Sequence, residues 1–483
     1  MTPTGHALGR DRLVGRLENR EYSRQFGGIW GISDKIMKRA ATAIAKFFRY
    51  AFWPLAVSIL VVLLLQPIYF LSLASLGHIL SRQRIADHLS AAFDEGVLSD
   101  DGNPHRLIFK GGEQLTECIS LGIGLNKAET AWQTAITGSY PMSGSTHACH
   151  GLHQAVSGAE TTWQPYFRYW HGYRLVLAPL AAAFPLWLVK IINVLMIVAA
   201  GGLLWMTLRN YCGATFATIF FMTFVCLSDV LFVWRTSTHS ISLTYILAGT
   251  SLFAAGLRKN WQAHSLIVMS AVLGSGFNFI DFLINPPMMP MLMAFFVLLS
   301  SRRETGLLAL SVVMAWFLGY SETWAAKWVL AYLSMPASAG VVADIISNVE
   351  NRTIGSFNGV DLVPLAATAK AFLRSLNRVG VIIPAITLVA MVLYSATTSR
   401  INWRRVAWLS CPVLVSVLWF EALSSHTQIH VTPSSRSAAA AIAIVLSAIL
   451  MAMQRRPSMP DLWAHLGMLR TKLSRFRANA RSK

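Results

Sequence analysis

The densest set of groups able to do chemistry lies near the C-terminus: Ser424-Ser425-His426-Thr427-Gln428-Ile429-His430, followed by Arg436. Two histidines four apart share a face if the segment is helical, and an arginine fork grips phosphate through paired hydrogen bonds. Such a set suits binding an anion. Zinc would need a third and usually a fourth ligand, themselves oriented by further hydrogen bonds, and no HExxH accompanies the pair. His147, His150 and His153 also have metal-like spacing, but they sit in a Gly/Ser-rich loop and read as holding no resident metal. No cofactor is expected, and the sequence leaves a divalent ion open.

Four further islands carry reactive types. Thr116-Glu117-Cys118 precedes the apolar run Ile119 to Leu125, so Glu117 would sit where a helix enters the protein core. A partly desolvated carboxylate suits proton removal; a solvated loop glutamate is the plainer alternative. Phe167-Arg168-Tyr169-Trp170-His171-Gly172-Tyr173-Arg174 packs aromatic and cationic groups together. An interfacial aromatic belt explains that composition, and so does stacking on a sugar beside a phosphate. Asp281 ends an apolar run, where ionisable groups are rare and usually functional or paired with a cation. Gly319-Tyr320-Ser321-Glu322-Thr323-Trp324-Ala325-Ala326-Lys327-Trp328 offers Lys327 as a point charge, and Arg352 lies in a formal glycosylation sequon read as coincidence.

These islands need elements to hold them, and composition makes those elements membrane helices. The 483 residues are 54% hydrophobic and 13% charged, with a mean hydropathy of +0.49; soluble domains carry about a quarter charged residues. The formal charge of +19 is concentrated at the ends, with ten Lys/Arg against four acids in residues 1–50 and eight against Asp461 alone in 454–483. That is a positive-inside pattern, and no nucleic-acid motif accompanies it. Because a long basic segment precedes the first apolar run, no cleaved signal peptide is expected.

About ten spans are expected, at 50–76, 183–207, 213–233, 239–257, 263–280, 286–300, 305–320, 380–396, 406–423 and 437–453. Threaded from inside, Arg209, Arg258-Lys259, Arg302-Arg303, Arg400 with Arg404-Arg405, and Arg455-Arg456 all become cytoplasmic. The expected architecture is an all-α, multi-pass protein of the inner (cytoplasmic) membrane. It comprises a cytoplasmic basic amphipathic segment 1–49, a polytopic domain 50–453 with extracytoplasmic loops 77–182 and 319–379, and a cytoplasmic basic tail 454–483. Trp324 to Leu333 reads as an amphipathic stretch able to lie in the interface. Cys118 and Cys149 share the large loop after the first helix, which leaves a disulfide open. No nucleotide-binding, GxSxG or kinase signature is present.

Taken in order, the islands resemble bacterial polytopic proteins of the GT-C glycosyltransferase superfamily. The resemblance rests on Thr116-Glu117-Cys118, Arg168 to Tyr173, Asp281-Phe282-Leu283, Gly319-Tyr320 through Trp328, and Ser425-His426 through His430 to Arg436, about two thirds of the chain. Glu117 stands where that pattern has Asp, Asn285-Pro286-Pro287 replaces Thr-Thr-Pro, and residues 431–435 lack aromatics. The resemblance implies a polyprenyl-phosphate sugar donor in the bilayer and a glycan, lipid or protein acceptor at the extracytoplasmic face. It also implies a catalytic carboxylate, Glu117 or else Asp281. Arg168, His171, Lys327, Arg352, His426, His430 and Arg436 would then bind the donor phosphate, with Tyr169, Trp170 and Trp324 stacking on sugar. The competing readings are a transporter or flippase for a lipid-linked glycan or other anion, and a non-catalytic envelope-assembly subunit.

Overall fold

The structure is a computed structural model that describes residues 50–103, 114–144, 147–300, 304–355, 359–398 and 400–453, with isolated positions in 42–48 and 460–468. The chain divides into two units, Met1–Trp53 and Pro54–Lys483. In the first, the few described positions are helical, and Phe47 and Phe48 meet edge to face at 5.9 Å. The rest of the expected segment 1–49, most of the tail 454–483, and Arg302, Arg303, Arg455 and Arg456 lie outside the described residues.

Eight helical stretches are long and apolar enough to cross a membrane: α1 (Tyr50–Ile79), α7 (Leu186–Cys212), α9 (Ser237–Arg258), α10 (Ala263–Ile280), α12 (Thr305–Ser334), Val379–Ala396, Trp403–Ala422 and α19 (Val431–Ala452). The seventh is built from α16 (Trp403–Ser410), a 3-10 turn and α17 (Leu414–Ala422), and α15 (Ile382–Thr398) forms most of the sixth. Two other expected spans correspond to shorter apolar helices, α8 (Ala214–Leu227) and α11 (Met288–Leu299). At 1.5 Å per residue these reach about 21 and 18 Å, short of a hydrocarbon core about 30 Å thick. From Met288 to Leu298 every residue of α11 is buried. Protein rather than lipid therefore surrounds this helix, as expected of one that is apolar on all sides. α9 and α19 are similarly enclosed, whereas α1 and α7 are mostly exposed and form the apolar perimeter.

Close helix contact in such a bundle depends on small residues, since lipid competes equally for apolar side chains. On α10 and α12 a Cβ added at Gly274 would collide with the Trp316 carbonyl, and one at Gly319 with the Ala271 carbonyl. Both glycines thus let the two backbones touch.

The segment between α1 and α7 folds as α2 (Arg82–Asp94), α3 (Gln114–Gly122), α4 (Ala131–Thr137), α5 (Ala148–Ser157) and α6 (Arg174–Ala183). It also holds a small antiparallel ribbon of β1 (Tyr140–Met142) and β2 (Thr162–Gln164) within an otherwise helical, all-α architecture. Leu89, Val97, Leu121, Leu152 and Tyr173 share its core with Cys118 and Cys149. Those two cysteines are joined in a disulfide that closes a separation of 31 residues, resolving what spacing alone left open. Closing such a loop stabilises by about 3–4 kcal/mol in the chain-entropy model. Reductant should accordingly lower the unfolding midpoint of the wild type and leave Cys118→Ser unmoved.

One expectation is corrected. Trp324 to Leu333 is no separate interfacial stretch, because the thirty-residue α12 runs through it to Ser334. Its apolar, unbroken helical sequence has no cap or proline at Gly319 to end it. The segment that follows is carried by α13 (Val341–Thr353) and α14 (Ala366–Leu376), and α18 (Ser424–Ile429) precedes α19.

Candidate functional site

A cavity of about 240 Å³ opens where these connecting segments meet. Thr116 and Ile119 of α3 form one wall, and Tyr166, Arg168 and Tyr169 another. Phe282, Leu283 and Ile284, from the α10–α11 link, close a third side, with Arg352 of α13 and His426, His430 and Pro433 completing it beside His239. All these positions lie at the same end of the bundle: α9 contributes its first turn, while Arg258 ends that helix on the far side. Arg209, Lys259 and Arg404-Arg405 occupy that far end too, by the alternation of the helices.

Two arginines, three histidines and the hydroxyls of Thr116, Tyr166 and Tyr169 supply the polar character of the lining, which includes no carboxylate among the described residues. Arg168 is partly neutralised: its Nε donates to Asp344 at 3.2 Å and its Nη1 to the Asn348 amide oxygen at 2.8 Å. Arg352 has no acidic partner within ion-pair distance among the described residues. Its Nη1 donates to the Asn348 carbonyl and amide oxygens at 2.9 and 2.7 Å, its Nη2 to the Tyr169 hydroxyl at 2.8 Å, and its Nε is buried without a partner among the described residues. A guanidinium held by neutral groups keeps its full charge for an incoming anion. Tyr169 in turn stacks on Trp324, whose indole N–H donates to the Arg168 carbonyl at 2.9 Å.

His426 and His430 stand with rings 4.6 Å apart. His426 Nε2 donates to the Leu283 carbonyl at 3.1 Å. Burial, then the neighbouring His430 and Arg352, push its pKa down to about 3, so the imidazole is neutral at physiological pH. Leu283 itself is held in the left-handed region at φ 68°, an uncommon state for leucine that persists where its surroundings enforce it. Asp281 helps to do so: its Oδ2 accepts the Ile284 N–H at 2.8 Å. The other carboxylate oxygen has no hydrogen-bond partner among the described residues. Burial raises the Asp281 pKa to about 6 against the lowering effect of Ser242 and the loop amides.

The remaining sequence candidates are occupied elsewhere. Glu117 is buried and ion-paired with Lys190 of α7, while its oxygens also accept the Ser237 N–H at 2.6 Å and hydroxyl at 2.8 Å. Lys190 further donates to the Arg235 carbonyl at 2.8 Å. Arg436 grips Asp229 with both arms, at 2.6 and 2.9 Å. Although burial opposes ionisation of Asp229, the guanidinium holds that carboxyl below its usual range. Lys327 caps the C-terminal end of α4 through the Ala135 and Ile136 carbonyls at 2.8 and 2.7 Å, above the Trp170 ring. Trp170 donates to the Thr323 carbonyl at 2.8 Å, and His171 to Tyr166 at 2.7 Å. His171 is neutral, because burial and then Lys327 drive its pKa well below the ordinary value.

The structure therefore gathers Arg168, Tyr169, Arg352, His426 and His430 around one cavity and places Asp281 next to its wall. It assigns Glu117, Arg436, Lys327, Trp170 and His171 to buried contacts that join elements. His150 and His153 both approach Asp100, at 3.6 and 2.6 Å, and no described group of three or more His, Cys, Asp or Glu is arranged to hold a metal. Sequence reasoning missed Tyr166, Asn348, Lys190 and Ser237. Lys190 had a legible signal, as the sole charged residue between 183 and 207; the other three had none. Comparison with family models, curated proteins and solved structures yields no match for this chain.

Proposed function

We propose that this multi-pass membrane protein is a glycosyltransferase that moves a sugar from a polyprenyl-phosphate donor to an envelope acceptor at the extracytoplasmic face. The observation that carries the reading is the cavity: cationic, edged with aromatics, without a carboxylate among the described residues of its lining, and opposite the basic helix ends. The positive-inside rule places those basic ends in the cytoplasm, so the cavity opens outside. There a lipid phosphate could reach Arg352 and Arg168 without any nucleotide-binding domain. Positive groups already in place would stabilise charge on the departing phosphate. Asp281, directly behind the cavity wall with a raised pKa, is a better candidate base than Glu117, which is held by three hydrogen bonds; to act it must reach the acceptor past Phe282, Leu283 and Ile284, which separate it from the cavity.

The direct test is release of polyprenyl phosphate from a radiolabelled polyprenyl-phosphate sugar by the purified protein in membrane vesicles. Arg352→Lys, which removes the planar fork, should weaken polyprenyl-phosphate binding about tenfold to a hundredfold, the range for charge-assisted hydrogen bonds. Arg436→Lys should instead lower thermal stability with binding nearly unchanged. If binding followed Arg436, the phosphate would belong on the Asp229 side.

Orientation has its own expected result. A cysteine at Ser424 should be labelled by an impermeant maleimide from outside, and one at Asn260, between α9 and α10, should not; the opposite pattern would remove the extracytoplasmic reading.

A second reading, an anion or lipid-linked-glycan transporter, is favoured by the charged groups on several spanning helices: Lys190, Glu322, Lys327 and Arg436. Intramembrane charges often mark transport paths. Translocation of a labelled lipid-linked sugar across proteoliposomes without sugar transfer would establish that reading instead.

A further inference from the structure

We propose that His426 recognises a hydroxyl group of the bound ligand, so that the cavity selects a hydroxyl-bearing phosphate ester such as a sugar phosphate over a phosphate ester without one. The inference rests on the anion-binding reading of the cavity and deepens it. The chemistry begins with the Leu283 carbonyl, which can only accept a hydrogen bond, so the proton on the His426 ring is at Nε2. A neutral imidazole protonated at Nε2 carries its lone pair on Nδ1. Nδ1 has no hydrogen-bond partner among the described residues, and His426 is part of the cavity wall. The carbonyl that sets this tautomer is fixed in turn, because Asp281 holds the Ile284 N–H and Leu283 is kept at φ 68°.

Around this lone pair the site offers mainly donors. Arg168 and Arg352 present N–H groups, and Tyr169, which accepts from Arg352, retains its own hydroxyl proton. The ionised oxygens of a phosphate ester dianion satisfy such donors and give nothing to a neutral acceptor. A hydroxyl attached to the same ligand does, and a buried acceptor left unmatched disfavours ligands that lack it. His426 thus complements a part of the ligand that the arginines cannot read.

The test uses the full-length protein in nanodiscs at pH 8, with the phosphate dianions methyl phosphate, which has no hydroxyl, and a hexose 1-phosphate as probes and calorimetry as the readout. His426→Leu removes the lone pair, and His426→Gln can still donate to Leu283 while its amide oxygen accepts a hydroxyl. In His426→Leu, affinity for the hexose phosphate should fall about tenfold, the worth of one good hydrogen bond, with methyl phosphate affinity within twofold of wild type. His426→Gln should recover most of the loss, which a purely structural role would not predict. An equal loss for both probes in His426→Leu would make the ring a phosphate ligand and overturn the proposal, as would unchanged hexose-phosphate affinity. A wild-type protein that binds neither probe would remove the anion-binding reading itself; one that binds both probes equally well would remove only the hydroxyl recognition.

Discussion

Glu117→Gln is expected to destabilise the fold by about 3–5 kcal/mol, the cost of breaking a buried ion pair from one side. Gln keeps the shape and can still accept from Ser237, but the Lys190 ammonium, 2% exposed, loses its counter-charge. Equilibrium unfolding in mixed micelles should record the loss. Removing both charges, in Glu117→Gln with Lys190→Met, should restore much of it, because paired buried ions are often replaceable by apolar groups of similar volume. Near-wild-type stability with lost turnover in the single variant would return Glu117 to the role of base.

For Asp281→Asn the expected loss is in rate, about a hundredfold to ten-thousandfold in kcat with donor binding little altered. The amide can still accept the Ile284 N–H, so the loop that positions Leu283 should survive. A base works only when ionised. If Asp281 is the base, its pKa of about 6 leaves it protonated below that value and ionised above it, so kcat/KM should rise through pH 6 and level off. The Glu117→Gln protein that remains folded should keep this limb. A profile flat from pH 5 to 7, or full turnover in Asp281→Asn, would exclude the residue as base.

Several site residues were legible because their types are costly in this setting. Arg168, Tyr169, Arg352, His426 and His430 stood out as cations and aromatics beside apolar runs, and the cavity gathers all five. Asp281 was legible as an ionisable group at a helix end, and Asn285-Pro286-Pro287 marked the break that lets its loop line the cavity. Arg436, Lys327 and Glu117 stood out for the same reason, yet they are matched by buried partners. Rarity in an apolar run signals that a charge is compensated, without saying whether a ligand or another side chain compensates it.

Membrane residence and the position of most helices follow from the residue order alone, since a run of about twenty apolar residues has few alternatives where every backbone polar group must be satisfied internally. That order also placed the basic hairpins on the face opposite the reactive islands. Which helices are interior and which charges meet emerges from the packing of the folded bundle. α11 and α7 are both apolar, yet one is enclosed and the other is exposed. Lipid is as apolar as a protein core, so no polar face distinguishes the two in the sequence. Glu117 finds Lys190 across 73 residues, and Arg436 finds Asp229 across 207. Such pairings follow from how helices pack side by side, which the order of residues along any one helix does not specify.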